Sequence, residues 1–197
     1  MPYTAQHRER TRARIVESAR ILFNRHGFEN VTIAMVMKEA GLTHGGFYNH
    51  FKSKEDLYAE AVRSFLMGRG AVWRENAGIA PSNLAPEMAR QMLDSYLSRE
   101  HLEDVDGQCP MIALPSDVAR GTPELRKAYE DLLVAMIWLF ENAPARRAPG
   151  SRDNAMAMAA LCVGGMVLAR SISDTGLADE VRSAAHEAAL RLYTRTA

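Results

Sequence analysis

Residues Thr32–Leu57 read TIAMVMKEAGLTHGGFYNHFKSKEDL, and the punctuation of this stretch decides the fold. Thr32 is a good N-cap for a helix running to about Ala40, with Val31 and Val36 at the two hydrophobic staple positions. Gly41 breaks the chain. Thr43 is the next cap, with Leu42 and Phe47 again at staple positions. Ser53 caps a further helix, and Asp56 three residues on completes a capping box. These caps specify two short helices around a tight turn and the start of another helix. That is the helix-turn-helix layout of a DNA reader.

Charge is distributed to match. The chain has 197 residues, 24 basic and 24 acidic. Residues 1–54 carry nine Lys/Arg against four Glu, a net +5, which leaves −5 for the remainder. A basic N-terminal segment on an acidic body suits a polyanion reader whose body stays off the polyanion. With 47% hydrophobic residues the chain can bury a core.

Helical signals recur along the rest of the chain and strand signals do not. Ile15, Ala19, Leu22 and Phe23 line one face of a helix over about 8–26, ended by Gly27. The helix capped by Ser53 extends to about Glu75, and 76–86 reads as a loop. Further helices are expected over about 86–102, from Pro110, over 123–142 after Thr122-Pro123, and over 153–174 and 177–195, with a loop at 143–152. The expected fold is all-α with about nine helices: a helix-turn-helix domain over residues 1–54 and a larger helical domain over 55–197. The longest apolar stretch, 155–169, is short for a membrane span and fits a buried helix. Cys109 and Cys162 make neither a disulfide framework nor a metal site. Arginines from position 8, with no apolar run behind them, do not form a secretory leader. A cytoplasmic protein without metal, cofactor or membrane partner is expected.

A recognition helix enters the major groove N-terminal turn first. Here that turn is Thr43-His44-Gly45-Gly46. Phe47 and Phe51, four apart, face the core and leave His44, Tyr48 and Asn49 outward. Thr32, Thr43, Tyr48, His50 and Lys54 can donate to phosphate oxygens. The glycine pair lets backbone approach base edges but removes side chains that could read them. Direct readout is therefore expected mainly at His44, with DNA shape carrying much of the specificity.

The stretch AGLTHGGFYNHFKSKEDL, preceded by an Arg-rich first helix, Phe23, Gly27, Phe28 and Thr32, resembles the reading head of the TetR family of bacterial transcription regulators. The resemblance covers about residues 8–60, with Tyr48, His50, Phe51, Lys54 and Glu55 in register. Val36-Met37 stands where the family usually has Ile-Ala. Ala34 stands where many members carry a polar or basic DNA contact. The resemblance implies a homodimer on a pseudo-palindromic double-stranded DNA operator, with the last two helices of each subunit forming the interface. Leu161, Gly164, Gly165, Leu168 and Ile172 give a small-residue strip compatible with that packing, or with packing inside the chain. It also implies a helical body enclosing a site for a small effector that releases DNA, and hence a repressor rather than an enzyme.

For the effector, Met88, Met92, Tyr96, Met111, Met136, Phe140 and Met158 offer an adaptable apolar lining, joined by Trp138 and Met166; ordinary core is the plainer account of each. GQCPMIALPSDVAR (107–120) resembles the Gly-Cys-Pro segment of the family branch around multidrug and electrophile-responsive repressors. Pro110 at a first helical position would set Cys109 at the N-cap, where the helix end lowers a thiol pKa. A thiol sensor of oxidants or electrophiles is thus an alternative, beside a small buried packing residue. A thiol enzyme is a remote one, because nothing places His101 or His186 beside Cys109. An architectural DNA binder with no effector is the third reading; its affinity would be independent of sequence.

Overall fold

The computed structural model describes residues 5–143 and 151–195, and among these every regular element is helical. There are eleven α-helices and one 3-10 helix, η1, so the all-α expectation holds with more elements than expected. Three expected helices are each broken in two. The one from Ser53 divides around Gly68 into α3 (Lys54–Phe65) and α4 (Arg69–Asn76). The next divides at Ser98, whose Oγ accepts from His101 N at 3.0 Å and starts a new helix. This gives α5 (Glu87–Tyr96) and α6 (Arg99–Glu103). The third divides before Pro115, which has no N–H to continue the ladder, into α7 (Pro110–Ala113) and α8 (Pro115–Arg120). Of the loop expected at 143–152, residues 144–150 lie outside the described residues.

The chain forms two compact units: residues 1–65 with 105–129, and residues 66–104 with 130–197. The first unit holds α1 (Ala5–Asn30), α2 (Ile33–Glu39), η1 (His44–Asn49), α3, α7 and α8. Its core is Ile15, Ala19 and Phe23 of α1, Val36 and Met37 of α2, Phe47 and Phe51, and Leu57, Tyr58 and Val62 of α3. The 105–129 segment is stitched to α1 by polar contacts. Asn24 Nδ2 donates to Gln108 O at 2.9 Å. Buried Arg20 donates to Asp106 O and pairs with Glu17 at 2.7 Å. Arg25 pairs with the Asp106 carboxylate and holds it below the usual carboxylate pKa. At Gly27, α1 leaves helical geometry (φ 73°, ψ 170°) and then makes one more turn.

The second unit holds α4, α5, α6, the later part of α9 (Pro123–Asn142), α10 (Arg152–Ser171) and α11 (Thr175–Arg195). Helices α10 and α11 pack along each other. A Cβ on Gly165 would stand 2.5 Å from Ala185 Cβ, so this glycine is what permits their close approach. α11 is pinned to the α5 region by Arg182 to Leu97 O (2.6 Å), His186 to Asp94 (2.7 Å) and Tyr193 Oη to Pro86 O (2.9 Å). The 155–169 stretch lies in α10, a helix apolar enough to cross a membrane by composition alone. One side of α10 is buried by packing within the unit, through Ala155, Met158, Ala159, Cys162, Met166 and Ala169.

Candidate nucleic-acid interface

Local chemistry builds the turn as the spacing predicts. Thr32 Oγ1 accepts from Met35 N at 3.2 Å and caps α2. Gly41 sits at φ 63°, with its N–H on Lys38 O (2.9 Å) and the Leu42 N–H on Met37 O (2.8 Å). Those two bonds are a Schellman closure, which needs a residue that tolerates positive φ. Ser53 Oγ accepts from Asp56 N (3.1 Å), and the Asp56 carboxylate reaches back to Lys52 N (3.1 Å).

The recognition element departs from expectation. Residues His44–Asn49 form a 3-10 helix, with Gly46 N on Thr43 O at 3.1 Å and His50 N on Phe47 O at 2.9 Å. Thr43 occupies the N-cap position, but its side chain makes no capping bond. Two consecutive glycines weaken α geometry by roughly 1 kcal/mol each relative to alanine, and the tighter turn results. Nothing lies within 4 Å of a Cβ built on Gly45, so its backbone is open to approach.

Phe47 and Phe51 are buried, 5.8 Å apart between ring centroids, and they anchor the element. Thr32, Thr43, His44, Gly45, Tyr48 and Asn49 are exposed, Tyr48 to 64%. Gly46 and His50 are half-buried. His50 Nδ1 is buried without a hydrogen-bond partner among the described residues. Burial first, then the nearby Arg8 and Arg12 cations, push its pKa below the ordinary value. Lys54 is turned inward. Its Nζ donates to Phe28 O (2.9 Å) and Val31 O (3.0 Å) and lies 4.0 Å from the Phe28 ring centroid. Two of its three donors thus close the end of α1.

Two supports went unread in the sequence beyond their charge. Arg8 donates to Asn49 O at 3.0 Å, at the C-terminal end of η1. Arg12 pairs with Glu60 at 3.1 Å with its guanidinium 4.5 Å over Phe51. The signal was available: positions 8 and 12 continue the 15, 19, 22 face one turn outward.

The other expected residues fall as follows. Met88, Met92, Tyr96, Met136, Phe140 and Met158 are buried in the second unit. Cys109 and Met111 are buried in the first. Trp138, expected among the lining residues, is 43% exposed. Cys109 does stand at an N-cap before Pro110, but α7 has four residues and the thiol is 4% exposed. One turn aligns few peptide dipoles, and a reactive thiol needs access. Burial pushes the Cys162 thiol up. On α10, Leu168 is 57% exposed, Gly164 has nothing within 4 Å of a built Cβ, Leu161 is half-buried, and Gly165 faces α11 of its own chain. Ile172, just past α10, is half-buried.

Residues 15–61 match the family model described as bacterial regulatory proteins, tetR family. The HTH-type transcriptional regulator YfiR of Bacillus subtilis is 35% identical over 63 residues, 32% of this chain and 31% of that protein. The chain therefore matches about a third of that relative's length. The HTH-type regulator YdgC of the same organism is 27% identical over 187 residues, 93% of this chain and 91% of that one. A TetR-family regulator from Agrobacterium tumefaciens shares the fold with a TM-score of 0.68 at 20% identity, over 91% of this chain and 97% of that one. Residues 15–61 thus match the reading head of the TetR family of bacterial regulatory proteins, and the chain shares its fold with a TetR-family regulator over most of its length.

Proposed function

We propose that the protein is a cytoplasmic, sequence-specific DNA-binding repressor, acting as a homodimer and released from a pseudo-palindromic operator by a small apolar effector. Residues 1–54 read DNA, and residues 55–197 carry effector binding and dimerisation. One observation carries the reading. Phe47 and Phe51 are buried to 2% exposure or less, while Thr43, His44, Gly45, Tyr48 and Asn49 around them are exposed. A short helix anchored by its aromatics and bare at its leading end suits entry into a major groove. His44 reads bases; Thr32, Thr43, Tyr48 and His50 bind phosphate; the glycines admit backbone.

Dimerisation is supported by the second flank of the last two helices. Leu161, Gly164, Leu168, Leu177 and Val181 are exposed or half-buried although apolar or small, beside the flank that α10 and α11 bury in each other. The buried methionines of the second unit support an adaptable apolar site. The burial of Cys109 does not favour the thiol-sensor reading over this one.

Selection of bound sequences from a random DNA pool tests the proposal. A repeated half-site with two-fold symmetry is expected, and its pattern should change in His44→Ala at the positions His44 contacts. Recovery of unrelated sequences with equal affinity would leave an architectural binder instead.

A further inference from the structure

The recognition element is held more firmly at one end than at the other. At its leading end Thr43 makes no side-chain capping bond, and a Cβ on Gly45 would meet nothing within 4 Å. At its trailing end two arginines of α1 close on it. Arg8 donates to Asn49 O at 3.0 Å, a carbonyl of the kind a helix end leaves unserved by its own ladder. Arg12 reaches further. Its guanidinium lies 4.5 Å over the ring of buried Phe51, two residues past η1, and its Nη1 donates to Glu60 Oε1 of α3 at 3.1 Å. The other Glu60 oxygen accepts from Arg63 at 2.7 Å, so the carboxylate is itself fixed from within α3.

The side chains of Arg12 and Glu60 are 39% and 25% exposed, and a pair so placed adds little to folding stability. What it fixes is direction. A cation stacked on a ring and tied to a neighbouring helix holds that ring at one angle. Base and phosphate contacts differ in their tolerance of angle. A hydrogen bond to a base edge needs its atoms within a window of about 0.5 Å and well aligned. Attraction to phosphates is long-ranged and forgiving.

We infer that Arg12 and Glu60 are positioning residues for sequence reading: bridged to each other between α1 and α3, they clamp the trailing end of η1 through Phe51 and set the angle at which His44 meets the bases. Neither touches DNA. The inference rests on the DNA-reading assignment of η1 above. Without the clamp η1 tilts, the base contacts weaken, and the phosphate contacts that carry binding to any duplex remain.

The experiment uses the full chain, its selected operator and an unrelated duplex of the same length, each titrated over a salt series. The quantity read is the ratio of the two affinities, which cancels any unfolded fraction, so loss of fold cannot imitate the effect. Glu60→Gln should lower that ratio about tenfold, the size of one base contact. Arg12→Gln should do the same, with its salt slope on the unrelated duplex within about 0.3 of wild type. Arg12→Gln/Glu60→Gln should be no worse than Arg12→Gln alone, because both changes break one pair. Arg63→Gln, which leaves the Arg12 pair and the Phe51 ring in place, should keep the wild-type ratio. A Glu60→Gln ratio equal to wild type, as expected if Glu60 only repels phosphate, would overturn the inference. So would a slope lowered by about 0.9 in Arg12→Gln, which would make Arg12 a phosphate contact. If wild type binds both duplexes equally, η1 is not a reader and the inference falls with that assignment.

Discussion

The carboxylate of Asp117 accepts the backbone N–H of Phe28 at 2.8 Å, one residue past left-handed Gly27. This bond satisfies a donor that the kink in α1 would otherwise orphan, using a side chain 89 residues away. The other Asp117 oxygen pairs with exposed Arg120 at 3.1 Å, a surface contact of little value to stability. Asp117→Ala should therefore destabilise the protein by about 1.5–3 kcal/mol, the range for a hydrogen bond to a charged group. Asp117→Asn keeps an acceptor and should recover about half. Urea unfolding followed by circular dichroism checks both; an Ala variant as stable as wild type would show that water serves the Phe28 N–H equally well.

Gly164 and Gly165 are adjacent but face different surroundings. A Cβ at Gly165 meets Ala185 Cβ at 2.5 Å and Leu97 Cδ2 at 3.4 Å, whereas one at Gly164 meets nothing within 4 Å. Gly165→Ala should cost about 1–3 kcal/mol of folding stability through overpacking between α10 and α11. Gly164→Ala should leave the subunit fold intact or stabilise it by up to about 1 kcal/mol. On the proposed dimer face the same methyl should weaken self-association, seen as a shift toward monomer in sedimentation at low concentration. A Gly164→Ala protein that dimerises as wild type does would move the interface away from this flank.

This pair also marks where sequence reading stops. The caps at Thr32, Ser53 and Thr122 were legible because cap and amide lie three residues apart, and all three bonds are present. The aromatic anchors Phe47 and Phe51 were legible from their spacing. Which glycine faces inward was not, because it depends on the rotation of α10 against a helix twenty residues on. Thr43 was legible as a cap position, but the glycines after it tighten the turn and leave its hydroxyl unused. The stitch from Asp106, Gln108 and Asp117 to α1 was invisible, since it joins side chains to side chains or backbone groups more than eighty residues apart.

Lys54 resembles a phosphate clamp in sequence, yet its ammonium closes Phe28 O and Val31 O. Replacing it with Met keeps the stem and removes both bonds together with the contact to the Phe28 ring. Stability should fall by about 1.5–3 kcal/mol. The salt slope of DNA binding by the folded protein should stay within about 0.3 of wild type, because an inward ammonium releases no counterion. A slope reduced by a full phosphate contact, about 0.9, would return Lys54 to the DNA.

His101 is 5% exposed, with its ring 5.3 Å from Trp73 and 4.8 Å from Tyr96 and its Nδ1 2.8 Å from Tyr96 O. A carbonyl only accepts, so Nδ1 carries the proton of the neutral ring. Burial pushes its pKa below the ordinary value; the Tyr96 carbonyl and Asp104 oppose that, and Arg69 adds to it. As pH falls through about 6.5 the unfolded chain takes a proton that the folded chain refuses. Stability is therefore fully present above that pH and lost below it, by at most about 1.4 kcal/mol per pH unit for one histidine. His50, also shifted down, contributes in the same direction. His101→Phe keeps a ring between Trp73 and Tyr96 and removes the titrating group. It should be less stable than wild type at about pH 8, having lost the Tyr96 bond, and should lose less stability on acidification to about pH 5. Urea midpoints at those two pH values decide it: a loss on acidification equal to wild type would mean the buried imidazole accepts its proton in place.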